Sequence, residues 1–454
     1  MSHSSAATPA PTGAPDDSLR HFGVAAATAV MVGNMIGTGV FTALGFQAQV
    51  LHTGAALLAL WAVGGVIALC GALAYAELGT MYPHCGGEYV YLARAWHPMA
   101  GFLGGWTSMT VGFAAPIALA GIAFGRYLSA IVPVPPLVAS LVVLGVVALV
   151  HLAGLHAAKR FQVLITVVQF ILIGAFIAAG LRHQPAAPLA MGLDGSAARE
   201  MLSAPFAVSL VYVSYAFTGW NAAGYIAGEI YTPQRSIPRA VVLATVIVTV
   251  LYLLLNWSFL RTVPLAEVAG KVEVGAISAH AMFGRTGTIV MSAIIATVLI
   301  ATISAMVLGG SRVTYAVMAD LPRWRLLGKR AANGVPRNAI LLQVVLILVL
   351  LLTNSFEQVM LYAGFTLNLT TLLSILGMLR LRFTQPQAAR PYRAWGFPVT
   401  TFVYIALSLW TLGTLLRERP LESISGLGTL VIGIGVWWVA HRPVAAASAD
   451  SAAR

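Results

Sequence analysis

Charge is what this sequence has least of: Asp, Glu, Lys and Arg make up 9% of its 454 residues, against about 25% in a soluble domain. Because 59% of the chain is apolar, no soluble fold could cover the apolar surface it would have to expose. Cysteine is scarce as well. Cys70 and Cys85 are the two present, too few for a disulfide framework or a metal-ligand cluster, and they read as inert packing and loop residues. The sequence also lacks His-Glu-x-x-His, Gly-x-Ser-x-Gly and any pair of carboxylates in adjacent apolar runs, so the common hydrolytic chemistries have no residues to carry them. An enzyme is therefore not expected, nor is a metal or a cofactor.

What the chain has in abundance is long apolar runs. A helix needs roughly 20 apolar residues at about 1.5 Å each to cross about 30 Å of hydrocarbon, and twelve stretches meet or approach that length. The first six run approximately from Phe22 to Gln47, Gly54 to Leu78, Met99 to Leu128, Pro135 to Leu152, Phe161 to Leu181 and Pro205 to Ile230. The other six run approximately from Ile237 to Arg261, Gly287 to Met318, Asn338 to Thr353, Phe356 to Leu379, Pro398 to Leu416 and Leu421 to Ala440. The ninth is the shortest. These runs are continuous rather than alternating, so they read as helices and not barrel strands, each satisfying its own backbone within lipid. The expected fold is an all-α membrane protein of 12 transmembrane helices. Residues 1–20 are rich in Ala, Ser and Pro and read as a disordered cytoplasmic tail, and 442–454 read as a second cytoplasmic tail. The first apolar run is too long for a secretory signal.

Threading the spans with the N-terminus in the cytoplasm puts 18 Lys and Arg on the inner side, among them Lys159, Arg160, Arg323, Arg325, Lys329, Arg330, Arg382, Arg390 and Arg393. The outer side holds 8, including Arg182, Arg261, Arg417 and Arg419. That bias predicts a multi-pass inner-membrane protein with both termini cytoplasmic. It also accounts for the net charge of +12 through short basic loops facing an anionic leaflet, so membrane lipid is the expected partner and nucleic acid is not. No obligate protein partner is evident.

Two spans are interrupted by glycine at matching depth. Span one reads Val32-Gly33-Asn34-Met35-Ile36-Gly37-Thr38-Gly39-Val40-Phe41 and span six reads Tyr215-Ala216-Phe217-Thr218-Gly219-Trp220-Asn221. Gly33 and Gly37 alone would also serve as a small-xxx-small packing face, but close packing does not require matched breaks five spans apart. The pattern predicts a 5+5 inverted repeat with broken helices 1 and 6, comprising residues 21–181 and 200–382, followed by two C-terminal helices in 383–441. A helix restarting near Gly37 offers the N–H groups of Gly37, Thr38 and Gly39 to a carboxylate. Carbonyls ending the half-helices near Val32, Gly33, Ala216 and Phe217 suit an ammonium group. A zwitterionic α-amino acid fits both.

These residues resemble the amino acid/polyamine/organocation superfamily of permeases, and within it the L-type amino acid transporter branch and its bacterial relatives. The resemblance runs from about Phe22 to the end of span eleven. It rests on the span-one glycine segment, Tyr75-Ala76-Glu77-Leu78 followed by Gly86-Gly87-Glu88-Tyr89, and Gly219-Trp220-Asn221. Further matches are Gly228-Glu229 with Thr232-Pro233-Gln234-Arg235-Ser236-Ile237-Pro238-Arg239-Ala240, Ser311-Arg312-Val313-Thr314-Tyr315-Ala316, and Arg390-Pro391-Tyr392-Arg393 with Gly396-Phe397-Pro398. It implies alternating access, with Ile36 to Gly39 holding the substrate carboxylate, the Gly219–Asn221 region supplying partners, and an aromatic gate at Phe217 or Trp220.

One position departs from the family pattern. Where many L-type relatives carry a span-five lysine, this chain has Gln169, which either hydrogen-bonds to span-one carbonyls or simply joins helices. A neutral amide cannot carry a proton as lysine can. Thr302 and Ser304 of span eight are the hydroxyls available for a coupling ion. None of the 14 acidic residues lies in the middle of a span, which argues against a pocket for a cationic side chain. Glu77 and Glu229, at inner span ends, read first as partners of loop arginines. The expected function is secondary or exchange transport of a small neutral amino acid. A cationic amino acid or polyamine carrier is the alternative on the same fold, and a non-transporting amino acid sensor is the alternative of another class.

Overall fold

A computed structural model describes residues 23–83, 86–153, 158–184, 192, 194–221, 230–319, 321 and 335–441, with the side chains of 158–166 left aside. Both tails, Cys85, Glu229 and the loop cations Arg323, Arg325, Lys329 and Arg330 lie outside the described residues. Among those described, the regular elements are all helices. Eight are long and apolar enough to cross a bilayer, the first of them being Val24–Gln47 taken through its break. Four shorter apolar helices, Pro136–Leu152, Val167–Arg182, Ala204–Ala216 and Arg337–Thr353, coincide with spans four, five, six and nine of the sequence.

Packing follows the rule for helices in lipid, where small residues let backbones approach because no hydrophobic gain separates helix from tail. Span three presents Ala114, Ala115, Ala118, Ala120 and Ala123 to its neighbours, all fully buried. The final helices, Val399–Glu418 and Pro420–His441, instead expose Phe402, Leu409, Leu421, Ile424, Val431 and Trp438, the face a bilayer covers.

Several stretches differ from the sequence expectation. Span three is not uniformly α-helical: Ser108–Phe113 is a π-helical turn between Pro98–Thr107 and Ala114–Ser129. The loop after span two contains the helix Glu88–Ala95. The connection after span seven folds into Leu265–Val268 and a helix beginning at Val274, separated from span eight by left-handed backbone at Gly284 (φ 63). That connection caps span one, since Gly270 N–H donates to Gly45 O at 2.7 Å and a Cβ on Gly45 would lie 1.9 Å from Lys271 O. Apolar periodicity gives no warning of such caps, because their apolar residues, such as Val268, Val272 and Val274, are interspersed with charge and glycine and form no long run.

Glu77 has the arginine partners its position suggested. Its fully buried carboxylate accepts from Arg382 Nε at 3.0 Å and Ala394 N–H at 2.7 Å, with Arg390 Nε at 3.6 Å. Span two is thereby tied to the end of span ten and to the segment after it. Removing one partner of a buried ion pair strands the others, a loss of on the order of 3 kcal/mol. Glu77→Ala is therefore expected to lower the melting temperature of the purified protein sharply in detergent, whereas Arg393→Ala, outside this network, should leave it within error.

Candidate functional site

Span one breaks as its glycines predict. The helix Val24–Met35 ends in extended backbone at Ile36 (ψ 91) and Gly37 (ψ −153), and a second helix restarts at Thr38 and runs to Gln47. A helix N-terminus leaves its first N–H groups without intrahelical partners, so the peptide groups of Thr38 and Gly39 point back into the break. Span six stops in the same way. Ala204–Ala216 ends in a turn through Phe217–Asn221, with Gly219 at φ 122; residues 222–229 lie outside the described set.

The two breaks touch. A Cβ on Gly39 would meet Ala216 Cβ at 2.8 Å, and one on Gly219 would meet the Asn34 carbonyl carbon at 2.7 Å. Both glycines are thus crossing points of backbone on backbone. Gly37 differs, because a Cβ there would meet nothing within 4 Å. It opens on a narrow cavity of about 10 Å³, room for about one water, lined by Gly37, Thr38, Phe41 and Thr42 of span one, Ala123 and Tyr127 of span three, Gln169 and Leu172 of span five, and Ile295, Val298 and Leu299 of span eight. Its polar groups are hydroxyls and one amide, and among the described residues no charged side chain lines it.

The carbonyls at the breaks are met by two neutral donors. Gln169 Nε2 donates to Ile36 O at 2.7 Å, a bond that meets a carbonyl at the break and joins span five to span one. The Tyr252 hydroxyl, on span seven, lies 2.6 Å from Met35 O and 2.9 Å from Ala216 O. One phenol proton is therefore shared between the ends of both broken helices. Val32 O, by contrast, accepts from Ile36 N–H, and Gly33 lies within the first half-helix. The carbonyls that take a side-chain donor at the breaks are those of Met35, Ile36 and Ala216.

The remaining candidates are dispersed around this centre. Phe217 is buried and packs edge-on against Tyr252 (centroids 5.0 Å) and beside Trp61 (6.4 Å). Trp220 packs edge-on against Tyr75 at 4.8 Å. Asn221 Nδ2 donates to Glu88 Oε1 at 2.9 Å, and the Tyr75 hydroxyl approaches the same oxygen at 3.3 Å. Neither aromatic lines the cavity. Thr302 turns back to Val298 O at 3.0 Å, and Ser304 pairs with His151 Nε2 at 2.9 Å, so neither span-eight hydroxyl joins Gln169 at the cavity wall.

Tyr252 and Glu88 are the residues sequence reasoning missed. A lone hydroxyl in the apolar run Val250–Leu255 was the signal for the first. Glu88 stood in the Gly86-Gly87-Glu88-Tyr89 motif with no role attached to it, and the fold leaves it 5% exposed.

A family model described as amino acid permease matches residues 22–436. The chain belongs to that family. The match reaches into the last helix, further than the span-eleven limit of the motifs. The permease is 25% identical over 438 residues to Asc-type amino acid transporter 1 of Mus musculus, covering 92% of the chain and 80% of that relative. Against the cystine/glutamate transporter of Homo sapiens identity is 24% over 417 residues (90% and 82%). Against large neutral amino acids transporter small subunit 2 of Homo sapiens it is 26% over 450 residues (93% and 82%). The permease is thus a multi-pass membrane protein of amino acid transport.

The unequal surroundings of the two span-one glycines give a test. Gly39→Ala is expected to lower thermal stability, since an added methyl has no room against Ala216, by about 1–3 kcal/mol. Gly37→Ala should fold with wild-type stability and lose amino acid affinity, read by ligand-induced thermal shift.

Proposed function

We propose that the permease carries a small neutral amino acid by alternating access, as a secondary carrier or an exchanger. The substrate carboxylate rests on the N–H groups at Gly37, Thr38 and Gly39, and the ammonium lies between the carbonyl ends at Met35 and Ala216. The observation that carries this reading is the Tyr252 bridge: two half-helix ends converge closely enough to share one donor. An ammonium brings three charge-assisted donors to the same carbonyls, each stronger than a phenol's. The phenol oxygen can accept from it in turn.

Neutrality of the substrate side chain is supported by a cavity wall of apolar residues, hydroxyls and the Gln169 amide. The buried carboxylate nearest the span-six break, Glu88, is already engaged by Asn221 and Tyr75, so the cationic reading finds less support. The basic-loop bias supports both termini on the cytoplasmic side of the inner membrane, and matched breaks in spans one and six support the 5+5 repeat. One relative is named a small subunit; we read this chain as acting without an obligate protein partner.

A neutral amino acid at 100 times its dissociation constant is expected to stabilise the purified permease by about 2.7 kcal/mol. Arginine and putrescine should give no shift. The same neutral amino acid should then be taken up by proteoliposomes, which a sensor would not do. Stabilisation by arginine alone, or binding without flux, contradicts the proposal.

A further inference from the structure

The end of the molecule away from Glu77 is closed by aromatic rings. Phe46, in the last turn of the second half of span one, stacks on Phe356 at the start of span ten (centroids 5.8 Å, interplanar 10°) and lies 5.8 Å from the Tyr212 ring of span six. All three are buried. These rings sit on the two broken helices and on span ten, so they must separate if the cavity is to open at this end.

The ring cluster is not closed by apolar contact alone. The Tyr212 hydroxyl donates to Glu357 Oε1 at 2.8 Å. Arg419, in the connection between the last two helices, donates from Nη2 to that same oxygen at 2.8 Å. Its other terminal nitrogen lies 4.0 Å from Glu422. Arg419 thus anchors a carboxylate whose second duty is to hold a span-six tyrosine in the closed position. The C-terminal hairpin, largely bilayer-facing on its outer side, packs on span six through Trp410 against Phe206, and Arg419 gives it a charged link to the span-six tyrosine as well.

We infer that Tyr212, Glu357 and Arg419 form a latch that sets how often this end of the carrier opens, with Arg419 as its positioning residue. The inference rests on the proposed transport reading. The ion pair is partly solvated, at 40% and 24% side-chain exposure, so salt screens it. Weakening it raises the fraction of carriers open at this end, and apparent affinity follows that fraction. Arg419→Gln is expected to lower the KM measured from this side about two- to fivefold and to raise the KM from the opposite side. Raising salt to about 0.5 M should move the wild type in the same direction and leave the variant unmoved. In Glu357→Gln the side-chain carbonyl still accepts from Tyr212, so this variant should lose the salt response with a smaller change in KM. A defect in folding alone would shift neither sidedness nor salt response.

A readout that needs no transport accompanies these. With Cys70 and Cys85 replaced by serine, Thr42→Cys places a thiol on the cavity wall, and its labelling by a membrane-impermeant methanethiosulfonate applied from the Arg419 side reports opening. Arg419→Gln should raise the labelling rate about two- to fivefold at low salt and abolish its dependence on salt. Identical labelling rates and salt responses with and without Arg419→Gln would overturn the latch, whether or not amino acid flux is found. Absence of amino acid flux in the wild type would instead overturn the transport reading and leave the labelling result to decide the latch.

Discussion

Peptide groups exposed where two helices come apart inside an apolar interior are the constraint on which the rest of this permease depends. Lipid can satisfy none of them, so each must find a partner in the protein or in a ligand. At the span-one break Gln169 takes Ile36 O and Tyr252 takes Met35 O, while Tyr252 also reaches Ala216 O across the gap. Both donors are neutral and come from helices outside the broken pair. Such partners satisfy the carbonyls without filling the space beside Gly37, where the cavity begins. An ammonium has more donors and a charge, so it competes for the same carbonyls on favourable terms.

Much of this was legible in the sequence, for reasons that differ by residue. Gly33, Gly37 and Gly39 announce a break because glycine in mid-span costs helix propensity that lipid-buried helices otherwise keep. Gln169 stood out as an amide in an apolar run, and its partner is the one its position suggested. Glu77 pairs with Arg382 and Arg390, opposite charges gathered at the C-terminal end of span two. Tyr252 was not legible, because a tyrosine in a span reads as packing until its hydroxyl is placed. The division of labour between Gly37 and Gly39 was equally hidden. Both are glycines in one short segment, and only the path of span six shows that one faces Ala216 and the other faces open space. Thr302 and Ser304 carry hydroxyls that a sequence cannot aim, and in the fold they turn to Val298 O and to His151.

Aromatic residues divide the permease into layers. Phe46, Tyr212 and Phe356 close one end, Trp61, Phe217 and Tyr252 back the breaks, and Tyr75, Tyr91 and Trp220 pack at the other end. Edge-to-face pairs of this kind are directional as well as apolar, each worth about 0.5–1.5 kcal/mol beyond area burial, so they favour discrete arrangements over gradual deformation. Polar anchors fix the outer layers in place: Glu357 at one end, Glu88 at the other. Relatives named for cystine and glutamate and for large neutral amino acids are 24–26% identical to this chain, so membership of the family does not by itself name the substrate.

The most direct test is an experimental structure of the permease with a transported amino acid bound. The predicted result places the carboxylate on the amide groups of Gly37, Thr38 and Gly39 and the ammonium within hydrogen-bonding distance of Met35 O and Ala216 O. Ligand density elsewhere, with both helix breaks still held only by Gln169 and Tyr252, would contradict it.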